Sequence, residues 1–158
     1  MNYSECIKNA RTRIGNYCKA CPECNGRACK NQMPGPGAKG IGDTAIRNYD
    51  KWKEIRVQMD TIAENKPVDT SLELFGKKFL YPFFAGPVGA VGLHYGDCLD
   101  DVRYNDILVS ACAKYGIAAF TGDGTDSNVM VAATKAIKNA GGFGIPTVKP
   151  WNLETIQE

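Results

Sequence analysis

The sequence contains no long apolar run and no apolar signal core. No stretch approaches the roughly 18 consecutive apolar residues that a transmembrane helix needs, so we expect no membrane partner. The first 15 residues mix acidic, basic and amide side chains, whereas a secretory signal peptide has a continuous apolar centre. We therefore expect a cytoplasmic protein.

A strong excess of one charge is also missing. The formal net charge is +2, and residues 1–50 carry eight Lys and Arg against four Asp and Glu. This local excess is too small to predict a nucleic-acid partner. The 158 residues, of which 44% are hydrophobic and 23% charged, suit one soluble globular domain with a buried core.

Cysteine is abundant and clustered, because four of the seven cysteines lie within twelve residues of one another. The spacing is C-x2-C-x2-C-x4-C, and the four residues are Cys18, Cys21, Cys24 and Cys29. Four thiolates complete a tetrahedral zinc site or the ligand set of an iron–sulfur cluster. The segment Cys-Pro-Glu-Cys-Asn-Gly favours zinc, whereas three cysteines spaced three apart are typical of ferredoxins. Redox or disulfide pairs, or no common role, remain alternatives. Cys6 and Cys112 are expected to pack on apolar helix faces.

The cysteine cluster leads into a Gly/Pro-rich segment, Gly35–Gly40, which has the form G-x-G-x-x-G. Proline at positions 34 and 36 interrupts any strand before it, so we interpret the segment as a loop and not as a dinucleotide site. The sequence therefore predicts two parts: a Cys-rich leader with its Gly/Pro loop over residues 1–42, and a second part over residues 43–158.

Hydrophobic spacing predicts helices over 4–14, with Ser4 as a possible cap, and over 44–64. A hairpin is predicted around Gly76 and Lys77. Short apolar strands then alternate with amphipathic helices. The predicted strands cover 83–86, 117–120 and 143–148, and the helices cover 101–115, 127–140 and the residues after Asn152. This alternation indicates an α/β fold made of the first three βα units of a (β/α)8 TIM barrel, preceded by a Cys-rich, partly helical segment.

Residues 44–158, and 68–87 above all, resemble the entry to the barrel in FMN-dependent α-hydroxy-acid dehydrogenases and oxidases, the lactate and glycolate oxidase family. The family pattern D-x-S-T-x-x-L-G followed by P-I-x-x-A-P-T is matched in part by Asp69, Ser71, Gly76, Pro82, Ala85 and Pro87. The family's His-Pro-x-Gly-Glu segment corresponds to His94-Tyr-Gly-Asp97. The Cys-rich leader is similar to a variant of anaerobic bacteria.

The resemblance implies FMN as cofactor and a 2-hydroxy acid such as lactate as substrate, oxidised by hydride transfer to FMN. It implies flavin contacts from the loops that follow the three strands. These residues are Pro87, Val88 and Gly89, then Thr121, Gly122 and Asp123, then Thr147 and Lys149. The family usually has serine where this chain has Gly122, and Lys149 is the polar group expected to face an anionic flavin or the substrate carboxylate.

The resemblance also assigns the family's histidine base, arginine clamp and lysine to later strands, which this sequence does not contain. We expect His94, the single histidine, to be a structural or surface residue. Turnover by this chain alone is therefore not expected. The alternative is a non-catalytic metal-binding module with a half-barrel that assembles with another chain, because an open strand edge favours self-association.

Overall fold

A computed structural model describes residues 1–15, 17–29, 43–124 and 126–157, in two compact units. The first, here called the leader unit, comprises Met1–Lys66 and Gly92–Cys98. The second, the α/β unit, comprises Pro67–Val91 and Leu99–Glu158. The segment Gly35–Gly40 lies outside the described residues, and the division at 42/43 stays a prediction.

The leader unit begins with helix α1, Tyr3–Arg11. A capping box starts it, because the Asn2 side chain accepts from the Glu5 N–H at 2.9 Å and the Glu5 carboxylate accepts from the Asn2 N–H at 2.9 Å. The cap is thus Asn2 and not Ser4, and the helix ends three residues earlier than predicted. Cys6 is exposed on α1, so the expectation that it packs in a core is wrong.

Helix α2, Thr44–Trp52, is shorter than the predicted helix over 44–64. The apolar residues that extended the predicted stripe contact little: Met59 and Ile62 are 86% and 96% exposed. An apolar stripe stabilises a helix only when another surface covers it, and none of the described residues forms such a surface over these side chains. A short helix that was not predicted, α3, spans Val91–Tyr95.

The α/β unit opens with the predicted hairpin, formed by β1, Leu72–Leu74, and β2, Lys77–Phe79. The turn residues Phe75 and Gly76 both have left-handed backbone angles, with φ of 54° and 68°. Phe79 is 3% exposed and packs edge-on against Phe84 and Phe143, with ring centroids 4.9 and 5.5 Å away. The hairpin is therefore fastened to the rest of the unit by aromatic contacts.

Three parallel segments follow in chain order. Ala85 forms a parallel bridge with Ala119, the first residue of β3, Ala119–Phe120. Strand β3 also pairs in parallel with β4, Gly144–Ile145. All three are shorter than the predicted strands, since only one or two residues of each make ladder hydrogen bonds.

The helices between and after these segments agree closely with the prediction. Helix α4 spans Asp101–Lys114, α5 spans Ser127–Asn139 and α6 spans Leu153–Gln157. Aspartates cap the first two: Asp100 accepts from the Arg103 N–H at 2.7 Å, and Asp126 accepts from the Asn128 N–H at 2.9 Å.

The α/β core lies where α4 and α5 meet β3. Its buried residues are Val109, Cys112, Ala119 and Ala136. Cys112 is buried in this cluster, as the sequence predicted. The fold is α/β with small sheets, while the arrangement as three units of a barrel stays a prediction. In the described part of the chain, no helix is long and apolar enough to cross a membrane.

Candidate functional site

The loops that follow the three parallel segments carry the predicted flavin contacts. Thr121 and Asp123, just after β3, are buried, whereas Pro87, two residues after the Ala85 bridge, is exposed. After β4, Thr147 is half-buried and Lys149 is exposed. The carboxyl ends of parallel strands meet at one edge of a sheet, and this edge is therefore the candidate site.

Two of the loops touch through their backbones. A Cβ added at Gly122 would lie 2.0 Å from the Val88 carbonyl oxygen, and one added at Gly89 would lie 2.6 Å from the Asp123 carbonyl oxygen. Only glycine permits such close approach of two backbones. Gly122 and Gly89 are therefore required by packing, which accounts for the departure from the family's serine.

Asp123 joins the second loop to the third. One of its carboxylate oxygens, Oδ2, accepts from the Lys149 backbone N–H at 2.6 Å and from the Trp151 indole N–H at 3.0 Å. Asp123 is 7% exposed, so these two bonds satisfy an otherwise costly buried carboxylate. The structure thus brings the β3 and β4 loops together through a residue that sequence reasoning had assigned to the flavin.

Two buried polar atoms at this edge have no hydrogen-bonding partner among the described residues: the Thr121 hydroxyl and the Asn105 side-chain nitrogen. Both residues are completely buried. The Asn105 Oδ1 atom accepts from the Gly122 N–H at 3.1 Å, so this helix residue positions the loop. An unpaired buried polar group costs about 1–3 kcal/mol, so each of these two atoms calls for a specific explanation, such as a bound water, an ion or a functional role.

The loop after the Ala85 bridge also offers unused donors. In the described part of the chain, no hydrogen bond is made by the N–H of Val88 or Gly89. Pro87 has no N–H and contributes at most a carbonyl oxygen. Both amides are available to hydrogen-bond a polar ring without adding charge.

Sequence reasoning missed Asn105 and Trp151. Asn105 precedes Val109 by four residues and Cys112 by seven, which places it on the buried face of α4. A single polar residue on an apolar helix face is therefore the signal that could have identified it. No comparable pattern marks Trp151.

His94 does not belong to this edge. It lies in α3, within the leader unit, half-buried and edge-on to the Tyr95 ring at 6.0 Å.

The Lys149 ammonium lies 5.8 Å from the centroid of the Trp151 ring, close enough for a cation–π contact.

The cysteine cluster forms a separate loop in the leader unit. Cys18, Cys21 and Cys29 are half-buried and Cys24 is exposed, all as free thiols. Burial and the neighbouring thiols, Cys24 foremost, raise the pKa of Cys29. Among the described residues, no three His, Cys, Asp or Glu side chains are arranged to hold a metal ion.

Comparison with known protein families gives a match over most of the chain. The model of a family described as FMN-dependent dehydrogenase covers residues 35–152, about three quarters of the chain. No curated protein and no solved structure matches. The family match confirms the resemblance predicted from residues 44–158 and supports FMN as the cofactor; the leader lies mostly outside the match.

Proposed function

Because the chain belongs to the FMN-dependent dehydrogenase family, whose members are TIM-barrel flavoproteins, we propose that its α/β unit supplies one side of an FMN site that oxidises a 2-hydroxy acid such as lactate. The observation that carries this proposal is the Thr121 hydroxyl, which is completely buried just after β3 and has no hydrogen-bonding partner among the described residues. A flavin ring offers hydrogen-bond donors and acceptors that fit a hydroxyl, and Thr121 can act as either.

When bound, FMN supplies the acceptor for the hydride that leaves the carbon bearing the hydroxyl. The residues of this chain bind and orient the flavin ring. The amides of Val88 and Gly89 would offer the ring neutral hydrogen-bonding groups, and the buried Thr121 hydroxyl would do so once the surrounding loops move aside. Asp123 holds the following loop in place through Lys149 and Trp151.

Lys149 is the cation proposed for the substrate carboxylate or an anionic flavin. Its backbone is fixed by Asp123 while its ammonium group is exposed, so the charge can turn toward an anion at the strand ends. The α/β unit contains no histidine, and we therefore assign no general base to this chain.

The FMN proposal is tested by titrating FMN into the chain and its Thr121→Val variant. Loss of one ring hydrogen bond is expected to weaken binding about tenfold, which corresponds to ~1.4 kcal/mol. The ligand-free variant should be more stable than the parent, because the valine removes an unpaired buried hydroxyl. If Thr121 had only a structural role, its replacement by valine would not both raise the stability of the ligand-free chain and weaken FMN binding.

Thr134→Val is the matched control. Thr134 is exposed on α5, and its hydroxyl donates to the Val131 carbonyl at 2.9 Å. It should change neither property appreciably. Equal FMN affinity for both variants, or no FMN binding by the parent chain, would refute the proposed site.

The substrate proposal has its own test on the FMN-loaded chain. Lactate should shift the flavin absorption spectrum, and Lys149→Met should remove the shift. Propionate, which lacks the 2-hydroxyl group, is the matched control. If lactate does not change the flavin spectrum, the 2-hydroxy acid is wrong as the substrate, whereas the proposed FMN binding still stands.

A second candidate function is assembly with another chain, and a specific surface favours it. A mainly apolar groove of about 290 Å³ is lined by residues of α4 and of the segments that precede the Ala85 bridge and β3. Its lining residues are Tyr81, Phe83, Ala111, Cys112, Tyr115 and Ile117. Self-association through this groove should be weakened by Tyr115→Glu in sedimentation experiments, whereas Val131→Glu, an exposed residue outside the groove, should leave it unchanged.

We also propose that the leader binds a metal centre, zinc or iron–sulfur, through Cys18, Cys21, Cys24 and Cys29. The supporting observation is a sulfur-directed turn, in which the Ala20 N–H donates to the Cys18 sulfur at 3.4 Å. Hydrogen bonds of this kind accompany thiolate ligands and stabilise their charge.

A further inference from the structure

The leader unit has almost no apolar core. Among the described residues of Met1–Lys66, only Ala20 and Gly26 are buried. Helices α1 and α2 contain no buried residue at all. Segments this short and this poor in buried apolar surface ordinarily need a disulfide or a metal ion to stay folded.

The contacts of the leader unit converge on the cysteine loop. From α1, the Tyr3 hydroxyl donates to the Pro22 carbonyl at 2.7 Å, and the Arg11 Nε donates to the Ala20 carbonyl at 3.1 Å. These bonds fix the backbone on either side of Cys21. The first helix is therefore attached to the loop by polar contacts and not by side-chain packing.

Helix α2 is attached to the same loop. The Tyr49 hydroxyl donates to the Glu23 carboxylate, and Arg27 pairs with Asp50 at 3.4 Å. Gly26 is buried against α2, since a Cβ there would lie 2.7 Å from the Ala45 Cβ. Exposed polar contacts of this type contribute little stability each, so they position the loop without accounting for its stability.

The loop backbone turns toward sulfur in two places. Ala20 has the left-handed φ of 44°, unusual for a residue with a side chain, and its N–H points at the Cys18 sulfur. Gly26 has φ of 74°, and its carbonyl accepts from the Cys29 thiol at 3.9 Å. The Ala20 turn precedes the second cysteine of the cluster. The bond from Cys29 is made by a protonated thiol and is given up when that thiol releases its proton to bind an ion.

We infer that Cys18, Cys21, Cys24 and Cys29 bind a single zinc ion, which cross-links the loop and thereby holds α1 and α2 in the leader unit. Among the described residues no three of these thiols are arranged around one point, so the loop must close around the ion as it binds. This inference rests on the proposed metal site and selects zinc from its two alternatives. A four-thiolate zinc site is tetrahedral, closed and redox-inert, and its binding energy is directly folding energy. The thiols release their protons to solvent as they bind the ion.

Zinc suits this loop better than an iron–sulfur cluster for a physical reason. The described residues of the leader unit bury little apolar surface, and a closed zinc site supplies stability without a redox partner. Cys24 is exposed, and a solvent-exposed ligand is harmless to a redox-inert ion. Four thiolates and one Zn²⁺ together carry two negative charges. Arg11, which bonds to the loop, and Arg27, which belongs to it, lower the free-energy cost of that charge.

The test uses the full chain, purified with reductant, and measures bound metal together with amide hydrogen exchange. We expect about one zinc per chain. Removing it with a chelator should accelerate exchange in Tyr3–Arg11 and Thr44–Trp52 about tenfold or more. Exchange in Asp101–Lys114 of the α/β unit should not change, which provides an internal control.

Variants separate the ligands from other cysteines. Cys21→Ser should lose the zinc and show the same fast exchange in the two leader helices. Cys6→Ser and Cys98→Ser are the matched controls, because both residues are exposed thiols outside the cluster. Titration of the metal-free parent chain with Co²⁺ provides a readout that does not depend on variants folding, since four-thiolate cobalt has intense charge-transfer bands.

The outcomes distinguish the inference from the site on which it rests. If the chain binds neither zinc, cobalt nor iron, the proposed metal site itself is wrong. If it binds iron and sulfide, the site stands and the zinc inference is overturned. If zinc binds but the leader helices exchange at the same rate without it, the ion is not their cross-link and the inference also fails.

Discussion

Replacing Gly122 by alanine should destabilise the α/β unit strongly. A Cβ at this position would lie 2.0 Å from the Val88 carbonyl oxygen, 2.6 Å from the Val88 carbonyl carbon and 3.0 Å from the Gly89 Cα. All three atoms belong to the backbone, so no side-chain rotation can relieve the contact. The loop after the Ala85 bridge and the loop after β3 must move apart.

The structure allows an estimate of the cost. Bringing a Cβ and an oxygen to ordinary contact requires a separation larger by more than about 1 Å. Overpacking of this kind costs about 1–3 kcal/mol. The same movement stretches the bond from the Gly122 N–H to Asn105, now 3.1 Å long, whose loss adds about 1 kcal/mol. We expect a total loss of about 3 kcal/mol in the free energy of unfolding, which lowers the melting temperature by about 6–12 °C.

The assay is thermal unfolding followed by circular dichroism, with Gly124→Ala as the matched control. Gly124 lies two residues further along the same loop, and a Cβ there would meet nothing within 4 Å. The control should therefore change stability by less than about 0.5 kcal/mol. Equal losses in both variants, or a loss below about 1 kcal/mol for Gly122→Ala, would show that the two loops do not pack as described.

Two further predictions concern the buried groups. Asp123→Ala leaves the Lys149 N–H and the Trp151 indole N–H unpaired, so chemical denaturation should show a loss of about 2–3 kcal/mol, with Asp123→Asn losing less; an unchanged midpoint would contradict the role of the carboxylate. Burial raises the pKa of the Cys112 thiol above its ordinary value of 9.0. The folded state therefore holds the thiol proton more tightly than the unfolded state does. This contribution to the free energy of unfolding is fully present below pH 9 and is lost as the pH rises through the higher folded-state pKa. Alkylation at mildly alkaline pH should modify the exposed Cys98 long before Cys112, and similar rates would contradict this burial.

The helices of the α/β unit were predictable because several local signals agreed there. Asp100 and Asp126 cap α4 and α5, and the apolar spacing of each helix corresponds to a surface that is actually buried. The helix over 44–64 was predicted from spacing alone. Beyond Trp52, side chains such as Val57, which is 93% exposed, follow the helical period without a surface to cover them.

The placement of the three strand-end loops at one edge of the sheet was predictable, but the contacts among them were not. Because the carboxyl ends of parallel strands meet at one edge of a sheet, the sequence predicted Val88, Thr121 and Lys149 at that edge. The structure places their three loops there. Asn105 was missed because helical periodicity was used to find apolar residues and not the polar exception among them. The close approach at Gly122 depends on the separation of two loops, which no one-dimensional pattern specifies.

The residues of this edge differ in what folding requires of them. Gly122 and Asp123 are explained by packing and by hydrogen bonds within the chain, and they would be needed whether or not a ligand binds. Thr121 is different, because its buried hydroxyl has no partner in the part of the chain that the structure describes, and a valine of the same shape would avoid the cost of burying it. The flavin proposal accounts for such a residue at a strand end by giving its hydroxyl a ligand as partner. For this reason the flavin proposal depends on Thr121 and not on the glycines, and the Thr121→Val variant is the one whose stability and FMN affinity should move in opposite directions.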